Sequence, residues 1–290
     1  MSSPDELTRR YEEGGYVRAL GVRVAAVSEE VVRLELPFAE GNSNPGGALH
    51  GGVAASLVLI GAAAAAEASG AETPERSTVD VSVAYLAAAI EEAVTAEARV
   101  LRRGKELTFV EVDVRTGAGK PIARGLAARR LAGDTPADRL LVARDAARVP
   151  DDAARPGFTK IFTAAPFMRR LGLEVVHVAQ GTAVVRLPWT PANADHDGTL
   201  HEGALAALAD TAGAMASWSL VPLDPRNKAS TPAVHATFHG PVRGEAVIAR
   251  ARTVARRDEI FTNAVTVVGE SSGVVVASAT VTYRIVVPRG

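Results

Sequence analysis

The sequence predicts an α+β protein of two similar units in tandem, each a long antiparallel sheet wrapped around one central helix. The first observation is an internal repeat: Gly41 to Gly52 aligns without gaps on Ala192 to Gly203, an offset of 151 that sets His201 on His50. The second is that an Ala-rich apolar stretch follows each of these histidines, Val53 to Ala68 and Ala204 to Leu220, with the length and the Ala and Leu content of a helix rather than a strand. The third is that four β-rich segments follow each stretch, and a helix apolar on nearly all sides is covered economically by such a sheet.

Composition sets the frame for these elements. At 290 residues the chain is about twice the ~100–150 residues of a typical domain. Hydrophobic residues at 47% against 22% charged provide for a packed core and exclude a disordered chain. Thirty-two basic and thirty-three acidic residues leave a formal charge of -1 without a polyelectrolyte block, so nucleic acid is not an expected partner. With no cysteine, disulfides, thiolate metal sites and thiol nucleophiles are excluded, and a cytoplasmic location is expected. Met1 to Glu12 is polar and reads as no signal peptide, and the apolar run Val53 to Ala66 falls short of the ~18 residues of a membrane span.

In chain order, strand-like runs come first in each half, Gly21 to Leu36 and Gly172 to Leu187, each ending before a proline, Pro37 and Pro188. The helices follow. The first half continues with Ser77 to Leu86, Val94 to Arg102, Leu107 to Thr116 and Ile122 to Leu131. The second half continues with Ala233 to His239, Ala246 to Val254, Ile260 to Val268 and Val274 to Val286. Breaks such as Arg103 to Glu106 and Gly269 to Gly273 have hairpin composition, so the four segments read as an antiparallel meander. Ala132 to Gly157, with Pro136, Pro150 and Pro156, reads as a surface linker. The expected units are 1–132 and 158–290, joined by 133–157.

Strand, turn, His-Gly-Gly, Ala-rich helix and antiparallel strands resemble the hotdog fold. His201 to Ala212, in which Asp210 follows the helix-opening His by nine residues, resembles the phenylacetate-degradation (PaaI-like) type of hotdog acyl-CoA thioesterase. The resemblance covers both halves and implies a tandem hotdog protein whose halves replace the usual homodimer. It also implies an active site built between units, one giving an Asn and the His-Gly of the helix start, the other the helix Asp and a hydroxyl. On that pattern Asn44, His50 and Gly51 pair with Asp210 and Thr231 as a complete set. The reciprocal pairing has Asp195, His201 and Glu202 against Leu59 and Thr78, and lacks both the acid and the Gly. One working site and one degenerate site are expected, with acyl-CoA as substrate, further assembly into a homo-oligomer, no cofactor, no metal and no membrane partner.

Helix geometry supports this division. Nine residues rise about 13.5 Å, so Asp210 cannot act at the start of its own helix and must serve another. Antiparallel packing would bring it to the first-half helix, where the Gly51 N–H and the positive helix end can stabilise an oxyanion while Asp210 acts as general base or attacks directly. Each residue also has a plainer reading. His50 and His201 serve equally as helix caps, Asn44 as a turn residue, and Thr231 as a strand-edge Thr. A carboxylate among Leu208, Ala209 and Ala212 is hard to account for without function. A non-catalytic acyl-CoA binding protein remains an alternative, and a hydratase is disfavoured because His201 and Asp210 lie apart on one helix. Gly269 to Gly273 matches G-x-S-x-G but joins strands, and His235 and His239 lack a third ligand.

Overall fold

The computed structural model describes residues 4–28, 30–69, 76–131, 140–148, 164–224 and 226–288. Twelve strands form one antiparallel sheet in the order β1-β2-β4-β5-β6-β3-β9-β12-β11-β10-β8-β7. The first six are β1 (Arg23–Val27), β2 (Val31–Leu36), β3 (Arg76–Tyr85), β4 (Val94–Arg103), β5 (Leu107–Thr116) and β6 (Pro121–Leu131). The others are β7 (Glu174–Ala179), β8 (Thr182–Leu187), β9 (Lys228–Phe238), β10 (Val247–Arg257), β11 (Ile260–Gly269) and β12 (Val275–Val286). The two six-stranded sets repeat each other, and β3 and β9 join them edge to edge, Asp80 to Ala84 lying opposite Thr237 to Ala233. This is a tandem hotdog fold in which each unit covers the other's edge strand, as an unpaired strand edge requires.

The strands do not form a simple meander. β4, β5 and β6 pair in sequence, but β3 lies beyond β6, and β2 pairs with β4. The intervening helix crosses the sheet, so the strand after it enters at the far side.

The two long helices are α3 (Gly51–Ala68) and α6 (Glu202–Trp218), and they pack on the same sheet face and on each other. Every residue of α6 after Glu202 is buried. A β-carbon added at Gly52 would stand 2.5 Å from the Ala207 β-carbon, which shows how closely the helices cross. At 18 residues α3 is longer than the apolar run read in the sequence, and it has the length and hydropathy of a membrane span. Its burial against the sheet and α6 accounts for that composition instead.

Three short helices lie outside the expected elements. The helix α1 (Pro4–Glu13) lies against α3, where Arg10 and Tyr11 bond to Glu67. The helices α2 (Gly15–Leu20) and α5 (Pro166–Leu171) are repeat mates, each ending on a left-handed glycine, Gly21 or Gly172. Each docks on the other half: Tyr16 N–H donates to Ala194 O at 2.9 Å, and Phe167 N–H to Ser43 O at 3.2 Å. Of the expected linker, residues 140–148 contain α4 (Arg144–Ala147), whose Ala146 and Ala147 cover Val184, Ile248, Val268 and Val275 on the outer face of the second half. The rest of the linker lies outside the described residues.

β9 begins at Lys228, five residues before the expected Ala233, and carries Pro232 in its interior. Pro232 is tolerated because pairing with β3 stops at Ala233 and the register with β12 shifts between Thr282 and Arg284, so no ladder bond is lost there.

Candidate active site

Both helices open in the same way. His50 precedes α3 in extended conformation and its Nδ1 accepts the Gly52 N–H at 3.0 Å; His201 does the same with Gly203 at 2.8 Å. An accepting Nδ1 leaves the ring proton on Nε2. Burial pushes both imidazoles down to about 4, assisted at His50 by the Arg170 charge, so each cap is neutral at pH 7. The rings are held by the short helices, His50 against Phe167 with centroids 4.8 Å apart and His201 stacked on Tyr16 at 4.5 Å. Sequence reasoning missed Tyr16, Phe167 and Arg170, although the repeat extends into Gly15 to Leu20 and Pro166 to Leu171 at the same offset of 151.

Asp210 of α6 lies against the first residue of α3. A β-carbon placed on Gly51 would be 3.1 Å from Asp210 Oδ2 and 3.5 Å from Tyr85 Cε1. The other carboxylate oxygen, Oδ1, accepts the Thr231 hydroxyl at 2.7 Å. Asp210 is 5% exposed. Burial raises its carboxyl to about 6, with the Thr231 bond opposing the shift. The Gly51 amide, in the first turn of α3, has no carbonyl within the helix to bond, and the positive end of the helix dipole lies there. The structure therefore brings together His50, Gly51, Asp210 and Thr231 from both halves. Asn44 serves its own loop, its Oδ1 accepting N–H groups of Gly46 at 2.8 Å and Ala48 at 3.2 Å. Among the described residues no hydrogen bond joins Asn44 to Asp210 or Thr231.

The mirror position is built differently. Leu59 stands where Asp210 does, and Glu202 replaces Gly at the helix start. The Glu202 carboxylate accepts the Thr78 N–H at 2.7 Å and the Thr78 hydroxyl, while Arg129 reaches both, 2.6 Å to Thr78 Oγ1 and 3.3 Å to Glu202 Oε2. The hydroxyl that holds the acid in one site thus holds a helix-start carboxylate in the other. Asp195 is pushed up to about 7 by burial and by the charge of Glu202. Arg129 was not singled out in the sequence, because its ion pair depends on strand register. Elsewhere, His235 Nε2 bonds Asp80 across the β3–β9 seam at 2.5 Å and His239 bonds Ser278 at 3.0 Å. Gly269 to Gly273 joins β11 to β12.

Comparison with known proteins agrees with this architecture. Residues 38–130 match the model of the acyl-CoA thioesterase N-terminal domain, and residues 156–285 match a domain of unknown function, DUF4442. The acyl-CoA thioesterase II TesB2 of Mycobacterium marinum shares 14% identity, with 94% of this chain and 97% of that one covered and a TM-score of 0.63. The tesB protein of Mycobacterium avium subsp. paratuberculosis shares 13%, with 98% and 100% covered and a TM-score of 0.64. A Deinococcus radiodurans protein whose esterase name is itself an inference is 34% identical over 104 residues, 35% of this chain, and the match spans 64% of that protein's length. The acyl-CoA thioesterase domain match thus lies in the first half, over residues 38–130, and the two mycobacterial structures share the tandem hotdog fold along nearly the whole chain.

Proposed function

We propose that the chain hydrolyses acyl-CoA thioesters at a single site between its two units, 1–132 and 158–290, joined through 133–157. The observation that carries this reading is the Asp210 carboxylate set against the start of the other unit's helix at Gly51, with Thr231 holding its second oxygen. The thioester carbonyl oxygen is bound at the Gly51 amide, where the helix end favours developing negative charge. Asp210 takes a proton from water as the water oxygen bonds to the carbonyl carbon. The tetrahedral intermediate then collapses, the C–S bond breaks, and the departing thiolate receives the proton from Asp210, leaving a carboxylic acid and a thiol. A carboxyl raised to about 6 is a stronger base than an ordinary aspartate and is still ionised at pH 7. His50, neutral and engaged by Gly52, sets the helix start, and Asn44 shapes the loop leading to it.

The test is release of free thiol from short, medium and aromatic acyl-CoA substrates by the purified full chain. Asp210→Asn is expected to abolish turnover and keep acyl-CoA binding. Near wild-type turnover by that variant would overturn the reading. A wild-type chain that binds acyl-CoA without releasing thiol would make it a binding protein.

A further inference from the structure

We propose that Tyr85 is a second hydrogen-bond donor to the thioester carbonyl oxygen, acting beside the Gly51 amide; this rests on the thioesterase reading above. Tyr85 ends β3, on the face shared with Val81 and Val83 that packs in the main core. Its Cε1 and Cζ lie 3.5 and 3.7 Å from the point where a Gly51 β-carbon would stand, the same point that is 3.1 Å from Asp210 Oδ2. The phenol thus enters the angle between the helix start and the carboxylate.

Its hydroxyl is buried and has no hydrogen-bond partner. A buried hydroxyl without a partner has lost its hydration with nothing in exchange, and such a group calls for an explanation. A ligand oxygen arriving at Gly51 would supply the partner. The direction of donation follows from electrostatics. Burial, and then the Asp210 charge, hold the phenol well above its usual pKa, so it stays protonated and offers an O–H to an acceptor. A carbonyl oxygen gaining negative charge is the acceptor that reaction brings.

The two halves provide an internal comparison. Ser82 faces His235 at the seam, and three residues beyond each lie Tyr85 and Phe238. Packing at this strand end is therefore met by Phe in the half whose helix start carries Glu202. The hydroxyl appears only in the half whose helix start is Gly51 and faces an acid. An aromatic ring explains both positions, but only a role with ligand explains the unpartnered oxygen at one of them.

The test is Tyr85→Phe in the full chain, with Phe238→Tyr as the control on the other side. Tyr85→Phe is expected to lower kcat about 10²-fold, the effect typical of one oxyanion donor, with KM hardly moved and the pH limb near 6 unchanged. Its melting temperature should not fall, since only an unpartnered oxygen is removed. Phe238→Tyr should leave kcat at the wild-type level. If Tyr85→Phe turns over normally while Asp210→Asn is dead, the Tyr85 proposal fails and the thioesterase reading stands. A pH limb that shifts, with kcat recovered on its plateau, would mean that Tyr85 tunes Asp210, and it too would overturn the proposal. A wild-type chain inactive on every thioester would remove both.

Discussion

Asp210 couples activity to stability through one proton. Its carboxyl is raised from 3.8 to about 6 in the folded protein by burial. The native state therefore holds this proton more tightly than the unfolded chain, and stability falls as pH rises from about 4 through 6. At 1.36 kcal/mol per pKa unit, the ionised carboxylate costs about 3 kcal/mol above pH 7. Asp210→Asn, which still accepts from Thr231, should melt higher than wild type at pH 8 and gain nothing at pH 4. Scans at the two pH values check this, and equal shifts at both would refute it. Wild-type kcat should rise with pH through an apparent pKa near 6 as the base ionises. The sequence pointed to Asp210 because a carboxylate within Leu and Ala needs a reason. It left Thr231 undecided, since a strand Thr has the same local pattern whether or not its hydroxyl meets an acid on a helix 21 residues away.

The crossing of α3 and α6 sets the distance between acid and oxyanion donor. At Gly52 an added β-carbon would meet Ala207 Cβ at 2.5 Å and Phe167 Cε1 at 3.0 Å, all backbone-anchored or ring atoms. Gly52→Ala should force the helices apart and cost about 1–3 kcal/mol, with loss of turnover because Asp210 moves away from Gly51. A melting temperature equal to wild type would show that the crossing has slack. Comparison of the helix starts should be one-sided. Gly51→Val, whose β-carbon meets Asp210 Oδ2 at 3.1 Å, should lower turnover about 10²–10³-fold, whereas Glu202→Gln should change it little. Thiol-release assays on both variants decide this, and equal damage from the two would place the chemistry at the wrong helix. The long helices were legible from Ala content and length. The short helices α2 and α5 were not, because six residues give too little periodicity and what holds them is the other half's loop.

The two units are one thermodynamic body. β3 has β6 on one side and β9 on the other, the main hydrophobic cluster runs through both helices, and each unit's short helix docks on its partner. Unfolding should therefore be a single transition with equal calorimetric and van't Hoff enthalpies. Ala236→Pro, at a seam position paired with both Val81 and Ala279, should lower that one transition by removing a ladder bond. Two separated melting steps would show that the units fold independently.

Periodicity, repeat spacing and residue chemistry are local properties, so the chain's linear order was enough for two hotdog units, their helices, most strand limits and the one-sided distribution of Gly51 and Asp210. Contacts between residues far apart in sequence depended on the fold. Among them are the Thr231 bond to Asp210, the Glu202–Thr78–Arg129 network that fills the mirror site, the insertion of β3 beside β6, and the buried Tyr85 hydroxyl beside Gly51. The reason is physical. A side chain's type limits which bonds it can make, but strand register and the crossing of two helices determine which atoms come within 3 Å of it, and neither is a property of any single segment.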